Sequence, residues 1–227
     1  MSLHILALET SGLYGAAAVA EGGELLQEIT LAPPRRTAQA LAPTIAELLR
    51  HVRWKPTDVQ LVAVTVGPGS FTGLRVGVVT AKTFAYAVEA DVWGFITLSA
   101  IAERAPAAWQ RLITVVDAQR QQLFAMNWRR DEHLQWREES AAQLVDNEPW
   151  LAGLCPGDAV SGPGLAKLIA RIPEFVRVVE RSHWEPTAAA VARIAWRDYT
   201  TGRRDSVWTL SPQYCRLSAA EEKRAAP

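Results

Sequence analysis

Residues 66–85, VGPGSFTGLRVGVVTAKTFA, hold a glycine-rich loop that runs into a long helical segment. Gly67, Pro68, Gly69 and Ser70 permit a tight turn, and the first free amides of the helix beyond could hold an anion. The stretch is no Walker A loop, because it lacks the adjacent Gly-Lys-Ser/Thr that would supply a phosphate-binding lysine and a magnesium ligand. Two readings stand: a degenerate phosphate loop, or a strand-to-helix turn capped by Ser70 or Thr72. Inside the helix Gly73, Gly77, Ala81 and Ala85 recur every four residues, with Leu74 and Val78 beside them, so one ridge is almost without side-chain bulk. A mid-helix glycine costs roughly 1 kcal/mol relative to alanine, and two of them indicate a packing requirement. Either this ridge packs within the chain against a sheet, or it meets another helix at a subunit interface.

Outward from this stretch the element types alternate. Short apolar runs at His4 to Leu8, Gly15 to Ala20 and Glu24 to Leu31 are separated by the turn-formers Thr10-Ser11-Gly12 and Glu21-Gly22-Gly23, a spacing that fits three hairpin-linked strands. After Pro33-Pro34, residues Arg36 to Val52 place Leu41, Ile45, Leu48 and Val52 on one helical face. This helix has its own small ridge at Ala38, Ala42 and Ala46. Leu61 to Val66 reads as a buried strand, Phe71 to Ala87 as a helix and Val92 to Phe95 as a strand. Three strands, helix, strand, helix, strand is the order of a ribonuclease-H-like half.

The second half begins in the same way and is less regular. Leu112 to Asp117 and Leu123 to Trp128 read as a hairpin, and Val160-Ser161 leads into the turn Gly162-Pro163-Gly164. A helix is expected at Leu165 to Arg171, a strand at Val176 to Val179, and a last helix at Thr187 to Tyr199 with Thr187 as N-cap after Pro186. The expectation is an α/β protein of two lobes, the second shorter and partly degenerate. The first lobe spans 1–107 and the second 108–217, the last helix packing either within its own lobe or back on the first. A frayed tail occupies Ser218 to Pro227.

Composition narrows the classes. Across 227 residues, 49% hydrophobic content can fill a core, and 24 Lys+Arg balance 24 Asp+Glu, which leaves no overall field to draw in RNA or an acidic membrane. Two cysteines, Cys155 and Cys215, are too few for a disulfide framework, which points to a reducing cytoplasm. The opening MSLHILALETSG lacks a basic leader and an apolar h-region, and no apolar run reaches the roughly 20 residues that span a bilayer.

Other constellations carry less. Glu9-Thr10-Ser11-Gly12 lies at a strand end, where an actin-like fold would hold a phosphate, but Glu9 could equally cap the turn. Its counterpart in the second lobe, Asp117 to Gln122, contains no glycine to let a phosphate reach the backbone, which counts against a closed ATP site. His4, His51, His133 and His183 form no HxxxH or HExxH pair, and no GxSxG serine motif is present. The nine tryptophans are scattered and read as packing rather than as a stacking platform for bases.

The ILALETS opening, the block GPGSFTGLRVG with its following A-K-x-x-A, the second-lobe VVDAQ and the closing Pro212-Gln213-Tyr214-Cys215-Arg216 together resemble the TsaB family, also called YeaZ. GPGSFTGLR is the specific match, and the resemblance runs essentially end to end. It implies a two-lobed actin-like (ASKHA) fold and a non-catalytic scaffold subunit without a cofactor or a metal. In that family the subunit supports a TsaD catalytic subunit, with a TsaE ATPase joining, in forming N6-threonylcarbamoyladenosine beside the tRNA anticodon. The resemblance places the partner interface on the first-lobe helices, here Ala38, Ala42, Ala46, Gly73, Leu74, Gly77, Val78, Ala81 and Ala85. Glu9, Thr10, Ser11, Gly67, Gly69 and Ser70 become a retained, degenerate phosphate-type loop, and tRNA is met only through the complex. Where the catalytic relatives carry a metal-binding HxxxH pair, this chain has Thr97-Leu98-Ser99-Ala100-Ile101.

The chain departs from the family pattern at Glu9, usually aspartate, at Thr37, usually near a histidine, and at Asp117 to Phe124, usually D-A-R-x-x-E-V-Y. Two other classes stay open, an ATP-dependent phosphotransferase of the same fold and a peptidase, as does a homodimer formed through the same helices.

Overall fold

In the first strand, β1 (His4–Glu9), Leu6 and Leu8 point to one side while Ile5 and Ala7 point to the other, and all four are buried. A strand covered on both faces must be apolar throughout, which is why the ILALE run shows no polar alternation. The computed structural model describes residues 2–31, 37–199, 201–202 and 204–214. β1 lies at the centre of a five-stranded sheet in the order β3-β2-β1-β4-β5. Antiparallel partners β2 (Ala16–Glu21) and β3 (Glu24–Thr30) lie on one side of it, and parallel β4 (Leu61–Gly67) and β5 (Asp91–Ile96) on the other.

Helices α1 (Thr37–His51) and α2 (Phe71–Val88) cover one face, where Leu41, Ile45, Leu48, Val78, Ala81 and Ala85 pack on Leu6, Leu8, Val62 and Val64. The opposite face belongs to α5 (Ala188–Tyr199), the last helix, whose Ala188, Val191, Ala192 and Ala195 meet Ala7, Ala16, Ala18 and Ala63. Small residues on both sides of that contact bring the helix close to the sheet. Thr187 caps α5 through the Ala190 amide (3.1 Å), and Glu28 of β3 accepts from the Ala189 amide (2.9 Å).

The second sheet runs β11-β10-β6-β7-β8, with β9 (Gln143–Asp146) also paired to β7. Its centre is the antiparallel hairpin of β6 (Arg111–Gln119) and β7 (Gln122–Arg130), flanked by parallel β10 (Ala159–Ser161) and β11 (Arg177–Val178) and by antiparallel β8 (Trp136–Glu138). Helix α3 (Thr97–Glu103) joins the two halves. Its Ala100 sits in the core beneath α5, while Leu98 and Ile101 pack with Leu112, Phe124 and Met126 of the second sheet.

Several expectations change here. The helix expected at Leu165 to Arg171 is instead two 3-10 turns, Pro163–Lys167 and Ile169–Arg171, interrupted at Leu168 (φ −116°, ψ −6°). A seven-residue stretch between a Gly-Pro entry and Pro173 is too short for cooperative α-helix, and Leu165 and Leu168 bury as two anchors instead. Residues 97–103, given no element in the reading of the sequence, form a helix because Leu98, Ile101 and Ala102 share one buried side. Strands β8 and β9 and the short α4 (Asn147–Ala152) had no periodic signal long enough to read. Pro33, Pro34, Arg36, Cys215, Arg216 and the tail Ser218 to Pro227 lie outside the described residues.

After α5 the chain returns to the first sheet. Asp205 bridges to Val92 at the β5 edge, Leu210 is buried in the α1/α2 core, and the Gln213 amide donates to the Val66 carbonyl (2.7 Å). This strap ends beside α2, where the Arg75 Nε donates to the Tyr214 hydroxyl (2.9 Å) and the Phe71 and Tyr214 rings lie 4.7 Å apart. Among the described residues no helix is long and apolar enough to cross a membrane.

Candidate functional site

The glycine-rich loop and the turn after β1 meet at the carboxyl ends of β1 and β4, where an open α/β sheet offers its binding crevice. The structure brings the six residues of the expected phosphate-type loop together and spends one amide of that loop within the chain itself. The Ser70 amide donates to the Ser11 carbonyl at 2.7 Å, and the Ser70 hydroxyl accepts from the Gly73 amide at 3.2 Å as N-cap of α2. Gly69 packs on the Ser11 backbone and Gly67, with φ 129°, lies against the Gln213 carbonyl. An amide that would face a phosphate therefore already has a carbonyl partner, and Ser70 rather than Thr72 is the cap.

Beneath the turn lies Glu9, only 1% exposed. One carboxyl oxygen accepts from the Ser11 amide (2.8 Å), the Thr65 hydroxyl (3.1 Å) and the Ser11 hydroxyl. Burial pushes this carboxyl up to about 7, while the donors from Ser11, Thr65 and the Gly12 amide pull it back toward the charged form. Glu185, on the loop before α5, approaches the same turn from the second half of the chain: a side chain at Gly12 would find the carboxyls of Glu9 and Glu185 each 3.8 Å away. Burial raises Glu185 as well, against the pull of Arg104 and Arg181. Arg104 in turn donates to the Ser182 carbonyl. Two acids and a self-satisfied loop make a poor seat for a polyphosphate.

The opposite turn, between β6 and β7, is built differently. Gln119, Arg120 and Gln121 all take left-handed φ (64°, 50° and 61°), so the missing glycine is replaced by three strained residues. Asp117 accepts from the Gln119 amide and is paired with Lys167 at 2.7 Å.

The residues expected at a partner interface separate into two groups. Ala38, Ala42 and Ala46 are exposed along α1. Gly73, Leu74, Gly77, Val78, Ala81 and Ala85 are all buried, and their assignment to a surface is corrected: this ridge of α2 faces Thr10 and the sheet. A Cβ on Gly73 would lie well inside 3.0 Å of the Thr10 carbonyl, and one on Gly77 equally close to the Thr10 hydroxyl. The outward face of α2 is the complementary set, Arg75, Val79, Thr83 and Tyr86, with Val79 61% and Tyr86 64% exposed. Arg75, Val79 and Thr83 repeat the four-residue spacing and Tyr86 follows three residues on, and Val79 and Tyr86 were the available signal for the outer set. Among the described residues no group of three or more His, Cys, Asp or Glu side chains is arranged to hold a metal.

A two-lobed actin-like architecture with its first phosphate turn occupied by its own backbone is the class that fold and site define. The comparisons narrow it. Residues 25–147, more than half of the chain, match the family profile described as TsaD: tRNA N6-adenosine threonylcarbamoyltransferase. The protein described as tRNA threonylcarbamoyladenosine biosynthesis protein TsaB from Escherichia coli (strain K12) is 28% identical over 151 residues, 64% of each chain. Its namesake from Bacillus subtilis (strain 168) is 30% identical over 121 residues, 53% of this chain and 52% of that one. The chain thus spans 64% and 52% of the length of these two relatives in the matched regions. A solved structure described as YeaZ from Pseudomonas aeruginosa superposes with a TM-score of 0.81 at 22% identity, covering 93% of this chain and 99% of the other, and shows the same fold. The chain belongs to the family of that profile, and the proteins named TsaB and YeaZ are what it resembles in sequence and in fold.

Proposed function

We propose that this protein is a non-catalytic, cytoplasmic subunit of the assembly that forms N6-threonylcarbamoyladenosine in tRNA, and that it binds a TsaD-type catalytic subunit through the outer faces of α1 and α2. The observation that carries the reading is the state of the phosphate turn: the Ser70 amide is spent on the Ser11 carbonyl at 2.7 Å. Taken with relatives named for biosynthesis of this modification, that turn favours a scaffold over a phosphotransferase. Ala38, Ala42 and Ala46 leave a shallow groove on α1 into which a partner helix can settle, and on the outer side of α2 Val79 and Tyr86, the latter against Trp208, offer apolar area to bury. Both helices sit on one face of the same sheet. A TsaE-type ATPase joins the assembly, and tRNA is met through the complex. The two lobes divide near residue 107, with α5 counted as part of the first.

Calorimetric titration of the protein with a TsaD-type subunit, and separately with ATP, tests this. Tight binding of the subunit with no heat from ATP is the expected result. Heat from ATP with no partner binding would support the phosphotransferase reading instead, and self-association that excludes the partner would make the α1/α2 face a homodimer surface.

A further inference from the structure

The acid at the end of β1 has no role in a scaffold as described so far, yet it is among the most buried polar groups of the molecule. Its surroundings are amides and hydroxyls. From its own turn Ser11 and Gly12 donate, and from β4 Thr65 donates. From α2 the facing groups are Gly73 and Gly77, which lie against Thr10, and they carry no charge. From the loop before α5 the facing group is Glu185, whose charged form is favoured by Arg104 and Arg181. An ionised carboxylate at that depth, with no cation against it, is disfavoured by its loss of water.

The turn that Glu9 holds is also the bed of helix α2. Thr10 fills the space that side chains at Gly73 and Gly77 would need, and the Ser11 carbonyl receives the Ser70 amide one residue before the helix begins. The links from the acid to the helix are Glu9 to Ser11, Ser11 to Ser70, and Ser70 to the Gly73 amide. Each step is a hydrogen bond or a closed contact, so the carboxyl cannot change its partners without disturbing the first two turns of α2.

We propose that Glu9 is the positioning residue for helix α2, holding the Thr10 to Gly12 turn as the template on which the glycine side of the helix seats, so that the order of the helix's outer face follows the protonation of this carboxyl. That the outer face is the partner surface rests on the function proposed above; the positioning itself does not. Because burial raises the Glu9 carboxyl to about 7, the seated state binds its proton more tightly than any opened state in which the acid meets water. The seated helix is therefore fully favoured below the ordinary carboxyl value of 4.5 and loses this support as the pH climbs through 7.

Hydrogen exchange on the intact chain between pH 6 and pH 8 provides the test, read at the amides of the first two turns of α2 and corrected for intrinsic exchange. In the wild type, protection there is expected to fall about tenfold over this range. Glu9→Gln, neutral at every pH, should keep its own protection there unchanged from pH 6 to pH 8, while strands β7 and β8 differ less than about twofold between the two proteins at pH 8. If Glu9→Gln follows the wild-type pH dependence, or if the substitution alters β7 and β8 as much as α2, the proposal is overturned. Titrating both proteins with the TsaD-type subunit separates the two claims. Failure of the wild type to bind would remove the partner reading and leave the exchange result standing.

Discussion

Helices α1 and α2 both carry small residues at every fourth position, and the two ridges face opposite ways. On α1 the ridge is Ala38, Ala42 and Ala46 and lies in solvent; on α2 it begins with Gly73 and Gly77 and lies against Thr10. The difference between alanine and glycine is what separates them. An exposed helix gains from alanine, the best helix former, and has no reason to accept the roughly 1 kcal/mol that glycine costs. Glycine persists inside α2 because the backbone and side chain of a neighbouring turn occupy the place of the missing Cβ. Spacing reveals a ridge, and the presence of glycine reveals that something already touches it.

The contrast can be broken most sharply at Gly73. Gly73→Ala forces a Cβ into the Thr10 carbonyl and should cost about 3 kcal/mol of stability, as overpacking against fixed backbone does. Denaturant unfolding of the isolated chain measures it, and a loss below 1 kcal/mol would mean that the helix is free to shift. A smaller effect is expected on the other helix. Ala42→Trp should leave stability within about 0.5 kcal/mol of wild type, because the side chain points to water, yet weaken the TsaD-type subunit at least tenfold by filling the groove. Unchanged affinity in the titration would remove α1 from the interface. The mildest test is Val79→Ser on the outer side of α2, for which stability should stay within about 0.5 kcal/mol and partner affinity should drop a few-fold. A destabilised Val79→Ser would show that this side of the helix is covered after all.

Much of the first half was legible because its signals are local. The apolar runs of β1 and β4, the 3.6-residue period of α1 and the Ser70 cap each identify themselves within a few residues. The second half was less so, since its helical layer is replaced by 3-10 turns and by α4, in which single anchors such as Leu165, Trp150 and Trp184 bury without a period. At the site, the sequence placed Glu9, Ser11 and Ser70 in suitable positions for a phosphate and could not say that Ser11 would spend the Ser70 amide. That fact depends on two segments about 60 residues apart meeting in space. What the α2 ridge touches was hidden for the same reason, because its counterpart is Thr10 and nothing near residue 73 refers to it.

The strap and α5 also set an order of events during synthesis. One face of the first sheet is bare until α5 has been made, and Leu210 in the core and the Gln213 bond to the Val66 carbonyl come later still. The ribosome adds about 5–20 residues per second, so the early strands wait many seconds for the segments that seal them. The lobe encoded first is therefore the lobe completed last.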